Sequence, residues 1–145
     1  MGMDVHGNNP TAEVGEYFRR NIWSWHPLAE FCTTYASEEA AALPQEKWHV
    51  NEGEGLDAEH SVRLAKRLRE LIADGTVAEL VAKWRDPNEA IRGAEAMYRH
   101  APQFFLLLGG GDGHARLAAS LAERIERDVP EFADFLECCG GFRIS

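Results

Sequence analysis

Sixteen consecutive residues, Glu16-Tyr-Phe-Arg-Arg-Asn-Ile-Trp-Ser-Trp-His-Pro-Leu-Ala-Glu-Phe31, place the strongest constraint on the fold. They hold five of the fourteen aromatic side chains, together with Arg19, Arg20 and His26. An aromatic ring removes a large apolar area from water when buried, so rings this dense dominate whatever core the chain builds. From Trp25 the apolar positions Trp25, Leu28, Phe31, Cys32 and Tyr35 recur on one helical face. Pro27 suits only the first turn of a helix, which predicts a start near Trp23–His26. Two readings of the stretch follow. In one, Tyr17, Trp23 and Trp25 hold a ligand ring or bases while Arg19 and Arg20 take phosphate. In the other, which ordinary core composition favours, the rings are interior and the arginines cover them.

Helix signals fill most of the remaining chain. Ser37, followed by two glutamates, suits a helix start, and that helix ends before Pro44. Leu64, Ala65, Leu68, Leu71 and Ile72 form one stripe, with Asp57 as N-cap and Gly75 just past the end. Thr76-Val-Ala-Glu79 reads as a capping box, and Asp86-Pro87 as an N-cap followed by proline at the first helical position. Asp112 and Asp128-Val-Pro-Glu131 predict two further starts, the last helix burying Phe132, Phe135, Leu136 and Cys139 before Gly140-Gly141. Trp48-His49-Val50 reads as a short extended piece, and Phe104–Leu108 fits either a buried strand or a buried helical turn, the turn favoured because the chain offers few strands for it to pair with. Phe142–Ile144 is a short strand able to pair with Met3–Val5. The expected fold is a single mainly α domain over 1–145, a compact array of six or seven short helices. At most a small β element, made by the two termini, accompanies them.

Composition narrows the function. With 145 residues the chain can bury a core without staples. The longest apolar run is far short of a membrane span, and the first residues resemble no signal peptide. Three cysteines, Cys32, Cys138 and Cys139, form no disulfide framework, so a cytoplasmic location is expected. A net charge of −9 opposes direct binding of nucleic acid and favours a basic protein partner.

Few motifs carry chemistry. Asn51, Glu52 and Glu54 lie in a Gly-rich acidic loop, but its spacing is not that of a calcium hand and a turn feeding a helix explains it. Gly109-Gly-Gly-Asp-Gly-His114 lacks the lysine of a nucleotide loop and reads as a hinge with a cap. The six histidines are scattered, no catalytic arrangement can be inferred, and neither metal nor cofactor is assigned. The candidate ligand or partner residues are Tyr17, Arg19, Arg20, Trp23, Trp25, His26, Asn51, Glu52 and Glu54.

Gly2-Met-Asp-Val-His-Gly, Asn9-Pro-Thr11, Glu16-Tyr-Phe-Arg, Trp23-x-Trp25 and Pro27-Leu28 together carry a resemblance. This opening resembles a group of uncharacterised bacterial and phage proteins that typically begin GMDVYG…NPT…GEYFRNNVWWWRPL. Asn51-Glu-Gly-Glu-Gly-Leu56 is similar to that group's NDGDGL element, with both acids lengthened. Phe132-x-x-Phe-Leu with Gly140-Gly-Phe142-x-Ile144 is similar to its FxxFLxxxGGFxI ending. Residues 77–125 lie outside the match, and the Cys-x-x-Cys zinc module of some members has no counterpart here. The resemblance implies no activity. It implies a phage or mobile-element context, and that the two ends and the acidic loop form one unit. The function expected is that of a small acidic binding or regulatory protein acting on a basic partner. The alternative is a small-molecule or metal-dependent enzyme that gathers Asp4, Glu52, Glu54, Arg19 and the Trp23 and Trp25 rings into one pocket.

Overall fold

A computed structural model describes residues 2–103 and 111–145. As expected, the fold is mainly helical, with a small antiparallel sheet that joins the two ends of the chain. Six α-helices are present among the described residues: α1 (Ile22–Tyr35), α2 (Ser37–Ala40), α3 (Ala58–Ala73), α4 (Thr76–Lys83), α5 (Pro87–Met97) and α6 (Gly111–Cys138). The strands are β1 (Gly2–Gly7), β2 (Tyr17–Asn21) and β3 (Phe142–Ile144), in the order β2-β1-β3. No helix among the described residues is long and apolar enough to cross a membrane. The expected buried turn at Phe104–Leu108 lies outside the described residues.

The sheet is larger than the termini alone supply. β1 pairs with β3 through Val5 opposite Ile144, and also with β2 through Val5 opposite Phe18. Met3, Val5 and Phe18 point inwards while Asp4 and Tyr17 point out, the alternation a half-buried strand requires. The acidic loop joins the same unit. Gly53 N donates to Ile144 O at 2.7 Å, and Phe142 N to Leu56 O at 2.8 Å. Beneath the sheet, Phe18 and Phe142 meet Phe132 of α6 at ring-centre distances of 5.1 and 6.1 Å. Backbone packs on backbone where the sheet meets the end of α6: a Cβ at Gly15 would lie 2.0 Å from the Cys138 carbonyl oxygen.

Local signals hold for α3 and α5. Asp57 accepts from His60 N at 2.8 Å and Asp86 from Glu89 N at 3.1 Å. Between them Gly75 takes the left-handed conformation, with φ of +90°. The capping box at Thr76 does not form. Thr76 is already helical, and the Asp74 carboxylate accepts both its N–H (2.9 Å) and its hydroxyl (2.7 Å). Of Trp48-His49-Val50 only Val50 is extended, because Gln45–His49 is a 3-10 turn that buries Trp48.

The largest departure is α6, one helix of 28 residues where two were expected. It begins at Gly111, so the glycine run is helical from there on, and it continues through Pro130. An interior proline costs about 3 kcal/mol. The stripe Leu121, Ile125, Val129, Phe132, Phe135 and Leu136 is buried on both sides of it, at about 1.5–3 kcal/mol per large side chain, and that burial wins. Asp128 therefore caps nothing; its buried carboxylate accepts from Arg20 Nε at 2.8 Å and Arg127 Nε at 2.7 Å.

Helix α1 also accommodates its proline. Asn21 caps it by accepting from Ser24 N, so Pro27 sits at the sixth helical position, deeper than the first turn. Proline has no N–H for the carbonyl four residues back, that of Trp23. The Tyr98 hydroxyl, at the end of α5, donates to this carbonyl instead. That bond fastens the end of α5 across α1.

Candidate metal centre

The nine sequence-nominated residues do not meet in one place. Tyr17 and Arg19 both donate to Asp4 on the outer face of the sheet, Arg19 at 2.6 Å. The Tyr17 hydroxyl first, then the Arg19 guanidinium, hold the Asp4 carboxyl below its ordinary range. Arg20 turns to Asp128 and Glu131, with its guanidinium 4.3 Å from the Phe18 ring centre. Trp25 is fully buried filler and Trp23 packs against the core. Asn51 is exposed. Glu52 and Glu54 flank Lys47 at 2.6 and 3.9 Å. Their loop runs along the outer edge of β3 while Arg19 sits on β2 at the opposite edge, so the expected pocket of Asp4, Glu52, Glu54, Arg19 and the tryptophans does not exist.

His26 is the exception, because it leads into a buried polar cluster. His26 and Glu30 lie one turn apart on the same face of α1. Facing them is His49, the last residue of the 3-10 turn. The turn is anchored by Trp48, whose ring nitrogen donates to Leu43 O at 3.2 Å and whose carbonyl accepts from Trp25 Nε1 at 2.7 Å. The third side is the turn after α5, closed by Ala101 N to Tyr98 O at 2.9 Å. With Tyr98 fixed on the Trp23 carbonyl, the next two residues, Arg99 and His100, fall over Glu30.

Glu30 is a carboxylate with no exposed surface. Its Oε1 is held by Arg99 Nε at 2.9 Å and by the Thr34 hydroxyl at 3.3 Å. Its Oε2 has no hydrogen-bond partner, and neither has His49 Nε2, 4.0 Å away. His100 Nε2 lies 3.5 Å from the same Oε2. One ligand atom from each of these three residues lies within 4.8 Å of the other two, close enough to share one metal ion. At bond lengths of about 2.0–2.2 Å, tetrahedral ligand atoms sit about 3.4 Å apart, so the 3.5 Å separation already fits, the 4.0 Å one must close by about 0.6 Å, and the two imidazoles must approach each other on binding.

The far side of His49 is provided for as well. His26 Nδ1 and His49 Nδ1 are 2.7 Å apart with the rings nearly coplanar, at 15°. When His49 Nδ1–H donates to His26, the His49 Nε2 lone pair points at Glu30. Metal-bound histidines are oriented in this way by a partner on the other ring nitrogen. Burial, followed by the charge of His100, lowers the His26 pKa to about 4. Burial also lowers that of His49 to about 3, with His26 and then His100 as smaller causes. Both rings are therefore neutral near pH 7, the state a metal requires.

Sequence reasoning missed Glu30, His49 and His100 because they come from three separate elements. The one local signal was the His26-x-x-x-Glu30 spacing, which places both groups on a single helical face. The chain matches no protein-family model, no curated protein and no solved structure.

Proposed function

We propose that the protein is a metal-dependent enzyme whose centre is one divalent transition-metal ion held by Glu30, His49 and His100. The observation that carries this reading is the pair of buried atoms without a hydrogen bond, Glu30 Oε2 and His49 Nε2, 4.0 Å apart with His100 Nε2 beside them. A buried polar atom left bare costs about 1–3 kcal/mol, and a cation between the two relieves both. Two imidazoles and a carboxylate suit zinc or iron(II) better than calcium or magnesium, which want oxygen throughout. Structural zinc sites close with four protein ligands, whereas three leave a position for water or substrate. Zinc lowers the pKa of a water in that position to about 7, which directs the centre to hydrolysis. This keeps the metal-dependent enzyme expected as the alternative, and moves its site from the acidic loop to the interior.

Cobalt(II) titration tests the reading through visible d–d absorption, alongside zinc calorimetry. One ion per chain is expected. Glu30→Gln and His49→Ala should each weaken binding at least tenfold, while His60→Ala, a surface control, leaves it unchanged. Zinc at a hundred times its Kd should add about 2.7 kcal/mol of stability. Absence of cobalt bands, with zinc leaving the unfolding midpoint unmoved, rules the centre out. A second reading, an acidic surface that docks a basic protein, is supported by the −9 charge alone. It predicts binding to a defined basic protein that weakens steeply with salt; salt-independent binding counts against it.

A further inference from the structure

We infer that the open position of this centre receives an anionic substrate, one oxygen on the metal and another on the Arg99 guanidinium. The inference rests on the metal reading above and names its substrate class. Arg99 is pinned by one edge only: Nε lies 2.9 Å from Glu30 Oε1 and 2.9 Å from Ala96 O. Neither Nη1 nor Nη2 donates a hydrogen bond among the described residues, and the side chain is 51% exposed. The two terminal nitrogens of a half-exposed guanidinium are thus left to bind a ligand beside the centre, and such a fork matches carboxylate and phosphate oxygens.

The burial gradient shows where a ligand enters. The Glu30 and His49 side chains are 1% and 5% exposed, whereas His100 is 33% exposed. Solvent therefore reaches the centre past His100 and Arg99. Glu30 also keeps a position open. Arg99 and Thr34 hold its Oε1, so the carboxylate presents Oε2 alone and cannot swing round to chelate the ion.

Charge then selects the ligand. A divalent ion and Arg99 bring three positive charges to a centre with one carboxylate ligand, and imidazoles bound through a lone pair add no charge. An excess of two positive charges beside the one carboxylate attracts an anion to the open position. A neutral ligand leaves the excess unmatched and a cationic one adds to it. The substrates indicated are carboxylates or phosphate monoesters small enough to span metal and fork.

The test uses the full chain loaded with cobalt(II) and titrated with acetate, inorganic phosphate and neutral acetamide. Both anions should shift the d–d bands saturably and acetamide should not; the tighter anion distinguishes a carboxylate from a phosphate substrate. Arg99→Gln should weaken anion binding at least tenfold while cobalt binds equally or more tightly, because a repelling charge has gone. Those opposite directions separate a substrate contact from a structural role, since a damaged fold weakens both. Cobalt bands that ignore the anions, respond equally to acetamide, or keep their anion affinity in Arg99→Gln overturn this inference and leave the metal centre standing. Absence of cobalt bands overturns both.

Discussion

Tyr98→Phe tests how the fold assembles its centre. The Trp23 carbonyl loses its helical donor to Pro27 and is served by the Tyr98 hydroxyl, on a ring with no exposed surface. Burial raises the Tyr98 pKa, so the hydroxyl stays a donor across the ordinary pH range. Phenylalanine keeps the ring and its packing and deletes only the donor. A part-buried carbonyl left without that partner costs about 1–2 kcal/mol. For a chain of this length Tm falls by about 2–4 °C per kcal/mol. The decisive measurement is a cycle with Pro27→Ala, read by urea unfolding. Alanine restores an N–H to the Trp23 carbonyl, so in that background Tyr98→Phe should cost less than about 0.5 kcal/mol, a coupling of about 1 kcal/mol. Equal costs in the two backgrounds would refute the argument. Because the same bond places Arg99 and His100 over Glu30, Tyr98→Phe should also weaken cobalt binding by about tenfold, the scale of other outer-shell losses.

Two further expectations follow from packing and burial. Helix propensity favours Gly93→Ala by about 1 kcal/mol. Yet the new Cβ would lie 2.3 Å from Trp84 Nε1 in the core, and overpacking costs about 1–3 kcal/mol, so the variant should be less stable by chemical denaturation; a gain would show that the indole moves aside freely. The pH dependence comes from His26 and His49, whose folded pKa values near 4 and 3 lie below the ordinary 6.5. Above pH 6.5 both states are neutral and this contribution vanishes. As pH falls from about 6.5 towards 3–4, the unfolded chain takes up protons that the folded chain refuses, and stability drops by up to about 1.4 kcal/mol per pH unit for each ring. His26→Gln should reduce that slope by about one proton in urea midpoints measured across the range; an unchanged slope would show that His26 titrates normally.

Elements decided by neighbours in the chain could be read directly. Asp57 and Gly75 bracket α3, and Asp86-Pro87 opens α5, because caps and stops act within a turn or two. The indole at Trp25 was legible as core, since a ring of that size has few other places to go. The strand at Tyr17–Asn21 was not, because its five residues become a strand only when β1 lies alongside. Nor was the passage of α6 through Pro130, which local rules forbid and which burial along its whole stripe outweighs.

The candidate centre shows the same division most sharply. Residue order alone settled that His26 and Glu30 share a helical face, and that the chain would be a mainly α fold closed by its two ends. Only the tertiary structure brought His49 and His100 to Glu30, through the Trp48 anchor and the Tyr98 hydroxyl, contacts that reach across 23 and 75 positions. Spacing rules see ligands that share a turn or a loop, whereas a site assembled from three elements exists only once the core has packed.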